Sequence, residues 1–216
     1  MDSPSFLFTV LPILLFSIVV HEYAHGYVAN LWGDPTAAVA GRLTLNPLPH
    51  IDPVGSILIP LLLLIGPGGF IFGWAKPVPV NPDNYRDRRW GDVTVSLAGP
   101  ASNVLLAILF TLVWIVSRQV TGGDPALDAV FGTAVLLNLI LATFNLLPIP
   151  PLDGSHVLYN FLPQPFAYNY MSLARYGLLI LLVLFWLPPF RQILGYVMIP
   201  AQIAALYLRE LVLQVG

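Results

Sequence analysis

The sequence predicts an all-α polytopic membrane protein of about five to six transmembrane helices, with a re-entrant segment and short membrane-associated β-strands around one polar site. Three observations carry this prediction. Hydrophobic residues make up 57 % of the 216 and charged residues 9 %, against about 25 % charged in an ordinary soluble domain. The apolar residues fall in long runs almost free of charge, each near the ~20 residues that a spanning helix needs. Between the runs, Gly and Pro punctuate short polar stretches.

The elements follow in chain order. Residues 5–30 form the first span, an uncharged run leading straight into His21-Glu22-Tyr23-Ala24-His25. The start, MDSPSF, lacks the basic n-region of a secretory signal, so this helix is read as retained. Gly33, Pro35, Gly41, Pro47, Pro49 and Pro53 then break the helical pattern, and AVAGRLTLN at 38–46 reads as a strand. Residues 54–72 are apolar, but Pro60 interrupts them and Gly66-Pro67-Gly68-Gly69 follows, so they read as a re-entrant segment or a broken span; re-entry is favoured because it brings His21, His25 and Asp153 to similar depth. Residues 74–92 are extended and polar, with a second strand expected at 76–82. They hold Lys76, Arg86, Arg88 and Arg89, four of the nine basic residues, which places the loop in the cytoplasm. Spans are expected at 93–117 and 128–147, then at 171–187 and 191–213, the last two split by Pro188-Pro189. The whole reads as one domain over 1–216, with a core at 5–160 and a C-terminal helix pair at 171–213.

A helix puts His21 and His25 one turn apart on one face. Two imidazoles at that spacing can bind one Zn²⁺, with the adjacent Glu22 as general base toward water. The pattern is short and arises by chance. A helix end meeting water is the bland alternative, but ionisable residues in a span-length segment default to function. Zinc hydrolases use three protein ligands. Cysteine is absent, and Glu22 and Glu210 are the two glutamates. Among the aspartates, Asp153 stands out in Leu146-Leu147-Pro148-Ile149-Pro150-Pro151-Leu152-Asp153-Gly154, an unwound stretch after a span. Irregular backbone at that depth is tolerated where it lines a cavity, so Asp153 is a candidate third ligand; an Asp-Gly turn at a helix end is by itself the more common explanation. His50 and His156 are rival ligands or interfacial histidines. A metal transporter would space polar residues through its spans, whereas these form one compact cluster. A non-catalytic scaffold of the same fold would tolerate a broken HExxH.

Taken together, HEYAH on an early span, SLAGPASN opening a later one and NLLPIPPLDG after the next resemble the site-2 protease family of intramembrane zinc metalloproteases, peptidase family M50, over roughly residues 15–160. The resemblance implies a zinc metalloendopeptidase that hydrolyses membrane-anchored proteins within the lipid bilayer. It implies one Zn²⁺ per chain on His21, His25 and Asp153, with Glu22 as catalytic base. Asn145 matches the family's NxxPxxxxDG motif and is expected near the scissile peptide. Asn103, in GPxxN, is read as substrate-binding or as a packing residue lining the core. Larger members carry PDZ or CBS domains, and this sequence reads as the minimal form. Its setting is expected to be a prokaryotic cell membrane, with the site nearer the cytoplasm and a transmembrane protein as substrate. The net charge of −2 suggests no nucleic-acid partner.

Overall fold

The computed structural model describes residues 3–58 and 75–215. Helix α1 (Ser3–Leu31) is followed by a one-turn helix, α2 (Thr36–Val39), and by a 3-10 turn at Leu48–His50. A π-helical turn over Pro53–Leu58 opens the segment read as re-entrant, most of which lies outside the described residues. Helix α3 (Arg88–Thr121) is the longest. Then come α4 (Pro125–Asn145), the short α5 (Asp153–Tyr159) and α6 (Gln164–Ser172). A 3-10 turn at Leu173–Tyr176 leads into α7 (Gly177–Trp186), and α8 (Pro188–Val215) closes the order. Among the described residues, five helices are long and apolar enough to cross a membrane: Thr9–Leu31, Arg88–Thr121, Pro125–Asn145, Gln164–Trp186 and Pro188–Val215.

Local chemistry sets these boundaries. The Asp87 carboxylate accepts from Trp90 N at 2.9 Å and caps α3. Gly122, at φ 71°, ends the helix in the left-handed conformation that favours glycine. Asp124 caps α4 by accepting from Ala126 N at 2.8 Å, with Pro125 at the first helical position. The prolines of residues 148–151 cannot continue a helix, and the chain runs through turns until α5 begins at Asp153. Pro188 and Pro189 mark the division between α7 and α8, as expected, and stand in the first turn of α8, where missing N–H groups cost nothing.

Helix α3 is the scaffold. Its buried stripe, Gly91, Asp92, Val95, Ser96, Gly99, Asn103, Leu106, Ala107, Thr111 and Trp114, recurs at helical spacing and is rich in small residues. Small side chains let α1, α4 and α5 approach closely, the usual basis of helix association in lipid. Ala107 and Trp114 pack with Val135 of α4 and Val212 of α8 in one core. Ala29 of α1, Tyr85 and Val95 form a second beside the polar loops.

No strand forms among the described residues, and both expected strands are corrected. At 38–46, Asp34 accepts from Thr36 N at 3.1 Å and from the Thr36 hydroxyl. Those bonds turn the chain into the helical turn Thr36–Val39, after which Gly41 (φ 65°) bends it away. Residues 75–81 are extended, but Pro77 and Pro79 have no N–H to give a ladder. Three of their donors are spent singly: Lys76 N on His50 O at 2.9 Å, Val78 N on Glu22 Oε2 and Asn81 N on Asp34 Oδ2, both at 2.7 Å.

Candidate metal centre

Three elements meet at one point. Helix α1 brings His21 and His25, α5 brings Asp153 at its first residue, and α3 forms the wall behind them. His21 Nε2 lies 3.1 Å from Asp153 Oδ2, and His25 Nε2 lies 3.3 Å from Asp153 Oδ1. The two Nε2 atoms are 3.0 Å apart. Tetrahedral ligands about 2.05 Å from zinc stand about 3.3 Å from one another, so all three separations suit a shared metal ion. The side chains are 9 %, 12 % and 20 % exposed.

The far sides of the rings decide the near sides. His25 Nδ1 is 2.7 Å from Val95 O, which can only accept, so Nδ1 carries the proton and Nε2 presents a lone pair. His21 Nδ1 donates to Asn103 Oδ1 at 2.6 Å, with the same result. Two lone pairs therefore face each other across 3.0 Å beside a carboxylate. Asp153 Oδ2 is buried and accepts no hydrogen bond. A donor set of this kind asks for a cation. Gly99 leaves the space for one, since a Cβ there would collide with both Nε2 atoms. His21, His25 and Asp153 thus form a group that fits a metal ion.

Asp153 is held in place by α5 itself. Asn160 donates to Asp92 Oδ2 on α3 at 2.5 Å, and His156 Nδ1 lies 3.6 Å from Asp92 Oδ1. Gly154 is pressed against the Leu146 carbonyl so closely that no Cβ would fit.

The model of peptidase family M50 matches residues 9–124 and 119–185. The chain belongs to peptidase family M50. YwhC of Bacillus subtilis (strain 168) is 42 % identical over 180 residues, covering 81 % of this chain and 78 % of its own. Rip2 of Mycolicibacterium smegmatis is 34 % identical over 179 residues, covering 81 % of this chain and 65 % of its own. Both are provisionally named zinc metalloproteases. The zinc metalloprotease MJ0392 of Methanocaldococcus jannaschii is 28 % identical over 165 residues, and the chain spans 38 % of its length. No solved structure matches. With five span-length apolar helices among its described residues, this M50 member is an integral membrane protein.

Other residues of the M50 chain fall into place around the group. Glu22, next to His21, is half-buried, and its Oε2 accepts from Val78 N at 2.7 Å. Asn145 sits half-buried at the end of α4, its amide donating to Leu141 O at 3.0 Å. Asn103 is fully buried, with its carbonyl oxygen on His21 and its amide nitrogen 2.9 Å from Asn138 Oδ1. The rival histidines lie apart from the group. His50 is fully buried, with Nε2 donating to Thr44 O at 2.9 Å and Arg42 at its other nitrogen. His156 faces Asp92. Sequence reasoning missed Val95, Gly99, Val78 and Asn138. Asn138 carried a signal, being an amide in the middle of an apolar span, where polar groups are costly.

Proposed function

We propose that this protein is an intramembrane zinc metalloprotease that cuts membrane-anchored proteins, with His21, His25 and Asp153 as ligands of one zinc and Glu22 as catalytic base. The observation that supports the reading is the convergence of two Nε2 lone pairs and an unpaired carboxylate oxygen within 4.8 Å, next to a glutamate on the same helix. The names of the relatives point the same way. Zinc bound there supplies a Lewis acid for the scissile carbonyl and lowers the pKa of the attacking water to about 7.

The chain's own groups do the rest. Glu22 takes the proton from the attacking water and delivers it to the leaving amine. Val78 N–H, bonded to one carboxylate oxygen, holds Glu22 in place and leaves the other oxygen for that proton. Asn145 stands at the mouth of α4, where its carboxamide can hydrogen-bond an unwound substrate backbone. The substrate helix must unwind, because helical carbonyls are already paired. The exposed cations Lys76, Arg86, Arg88 and Arg89 support a cytoplasmic position, in a prokaryotic cell membrane, for this stretch and for the site beside it.

The test uses purified protein, metal analysis and a single-span reporter. One zinc per chain and reporter cleavage are expected. Glu22→Gln should keep the metal and lose at least about 100-fold in cleavage rate, the usual reach of general acid–base catalysis. Wild-type turnover by Glu22→Gln, or undiminished cleavage by metal-stripped protein, would overturn the proposal.

A further inference from the structure

A chain of buried amides runs behind His21 and reaches two other helices. Ser17, Asn103 and Asn138 are each fully buried. Asn138 Nδ2 donates to Ala134 O and to Ser17 Oγ, both at 2.9 Å. Its Oδ1 accepts from Asn103 Nδ2 at 2.9 Å, and Asn103 Oδ1 accepts from His21 Nδ1 at 2.6 Å. Buried amides inside apolar helices are costly unless every polar atom is paired. Here each has a partner.

The orientation of the whole chain follows from one atom. A carboxamide is nearly symmetric in shape, so either end could face His21. Ala134 O is a backbone carbonyl and can only accept. Asn138 must therefore turn its NH₂ toward Ala134 and its oxygen toward Asn103. Asn103 must then give its NH₂ to Asn138 and its oxygen to His21. His21 in turn must hold its proton on Nδ1, which frees Nε2. Turned the other way, Asn103 would offer NH₂ to Nδ1, drive the ring proton to Nε2 and aim an N–H at Asp153. We propose that Asn138, anchored by Ala134 O and Ser17, is a positioning residue that sets the tautomer and aim of His21 through Asn103. The inference rests on the proposed metal site for its purpose, while the proton location stands apart from it.

Two readouts separate the cases. The chain has four histidines, so ¹⁵N-histidine NMR of the metal-free protein resolves the protonated nitrogen of each, with assignments from single substitutions. Asn138→Leu should convert His21 from Nδ1–H to a mixture containing Nε2–H and leave His25 on Nδ1–H. Chelator competition should show zinc affinity reduced 10–100-fold, the usual cost of losing a partner that orients a ligand. Adding Asn103→Asp should recover affinity to within about tenfold of wild type, because both carboxylate oxygens accept and no orienting partner is needed. A role in packing alone predicts no such recovery. Asn138→Ala, which adds no bulk, carries the same expectations should the leucine variant fail to fold. His21 remaining wholly on Nδ1–H in a folded Asn138 variant, or a loss of affinity that Asn103→Asp does not repair, would overturn the relay. Wild-type protein that binds no zinc would refute the metal site and leave the tautomer result to decide the relay.

Discussion

A methyl group at position 99 would enter the space on which the Nε2 atoms of His21 and His25 converge. Gly99→Ala should therefore weaken zinc binding roughly 5- to 150-fold, because overpacking of this kind costs about 1–3 kcal/mol and the rings cannot yield without leaving Asn103 and Val95. Chelator competition measures it. Gly195→Ala is the control: nothing lies within 4 Å of its Cβ position, and the change should leave zinc binding alone. Wild-type affinity in Gly99→Ala would mean that the imidazoles have room elsewhere. At this scale much was legible. His21, Glu22 and His25 form a local pattern, and Asp153 stood out as an acid after prolines. Val95, Gly99 and Asn138 were hidden because their importance depends on how α3 and α4 rotate about their axes, which one-dimensional spacing does not encode.

At the scale of elements, the extended segment 75–81 is tied down at three points, and Asp34 is the strongest of them. Its buried carboxylate accepts from Asn81 N, from Asn84 Nδ2 at 2.8 Å and from both donors of Thr36. Burial opposes ionisation of Asp34, but these bonds outweigh it and lower its pKa below the ordinary value. A depressed carboxylate pKa adds stability that is complete above the unfolded value, about 3.9, and fades as pH falls through the lower folded value. Thermal stability in detergent should hold down to about pH 4 and drop as pH falls further for wild type. Asn in place of Asp34 should lower stability at pH 7 by about 1–3 kcal/mol and flatten that acid limb. An unchanged limb in Asp34→Asn would assign it to other carboxylates. The same interactions account for the missing strands. Strands were expected at 38–46 and 76–82, but a side-chain acceptor won the first backbone and proline silenced the second.

At the scale of the whole molecule, helix α3 has 34 residues, about 51 Å at 1.5 Å per residue, against a hydrocarbon core of about 30 Å. Its two ends must lie on opposite faces of the membrane. With no native cysteine, impermeant labelling reads the orientation directly. Thr121→Cys should react from outside intact cells, and Asp83→Cys, beside the exposed arginines, should not. Reversed labelling would invert the topology. The five span-length helices were legible from hydropathy because lipid imposes length and charge rules on every span. Where helices meet was less so, since contacts depend on small residues that many helices share. One consequence concerns the order in which the chain is made. Synthesis runs from the N-terminus at about 5–20 residues per second. His21, Glu22 and His25 are therefore in place for several seconds while Asp153 has yet to emerge. On the proposed ligand set, a ribosome-bound or prematurely ended chain carries the base and two imidazoles but no third ligand. Proteolytic competence then arrives only with the second half of the molecule, and a half-built enzyme is harmless to the membrane proteins around it.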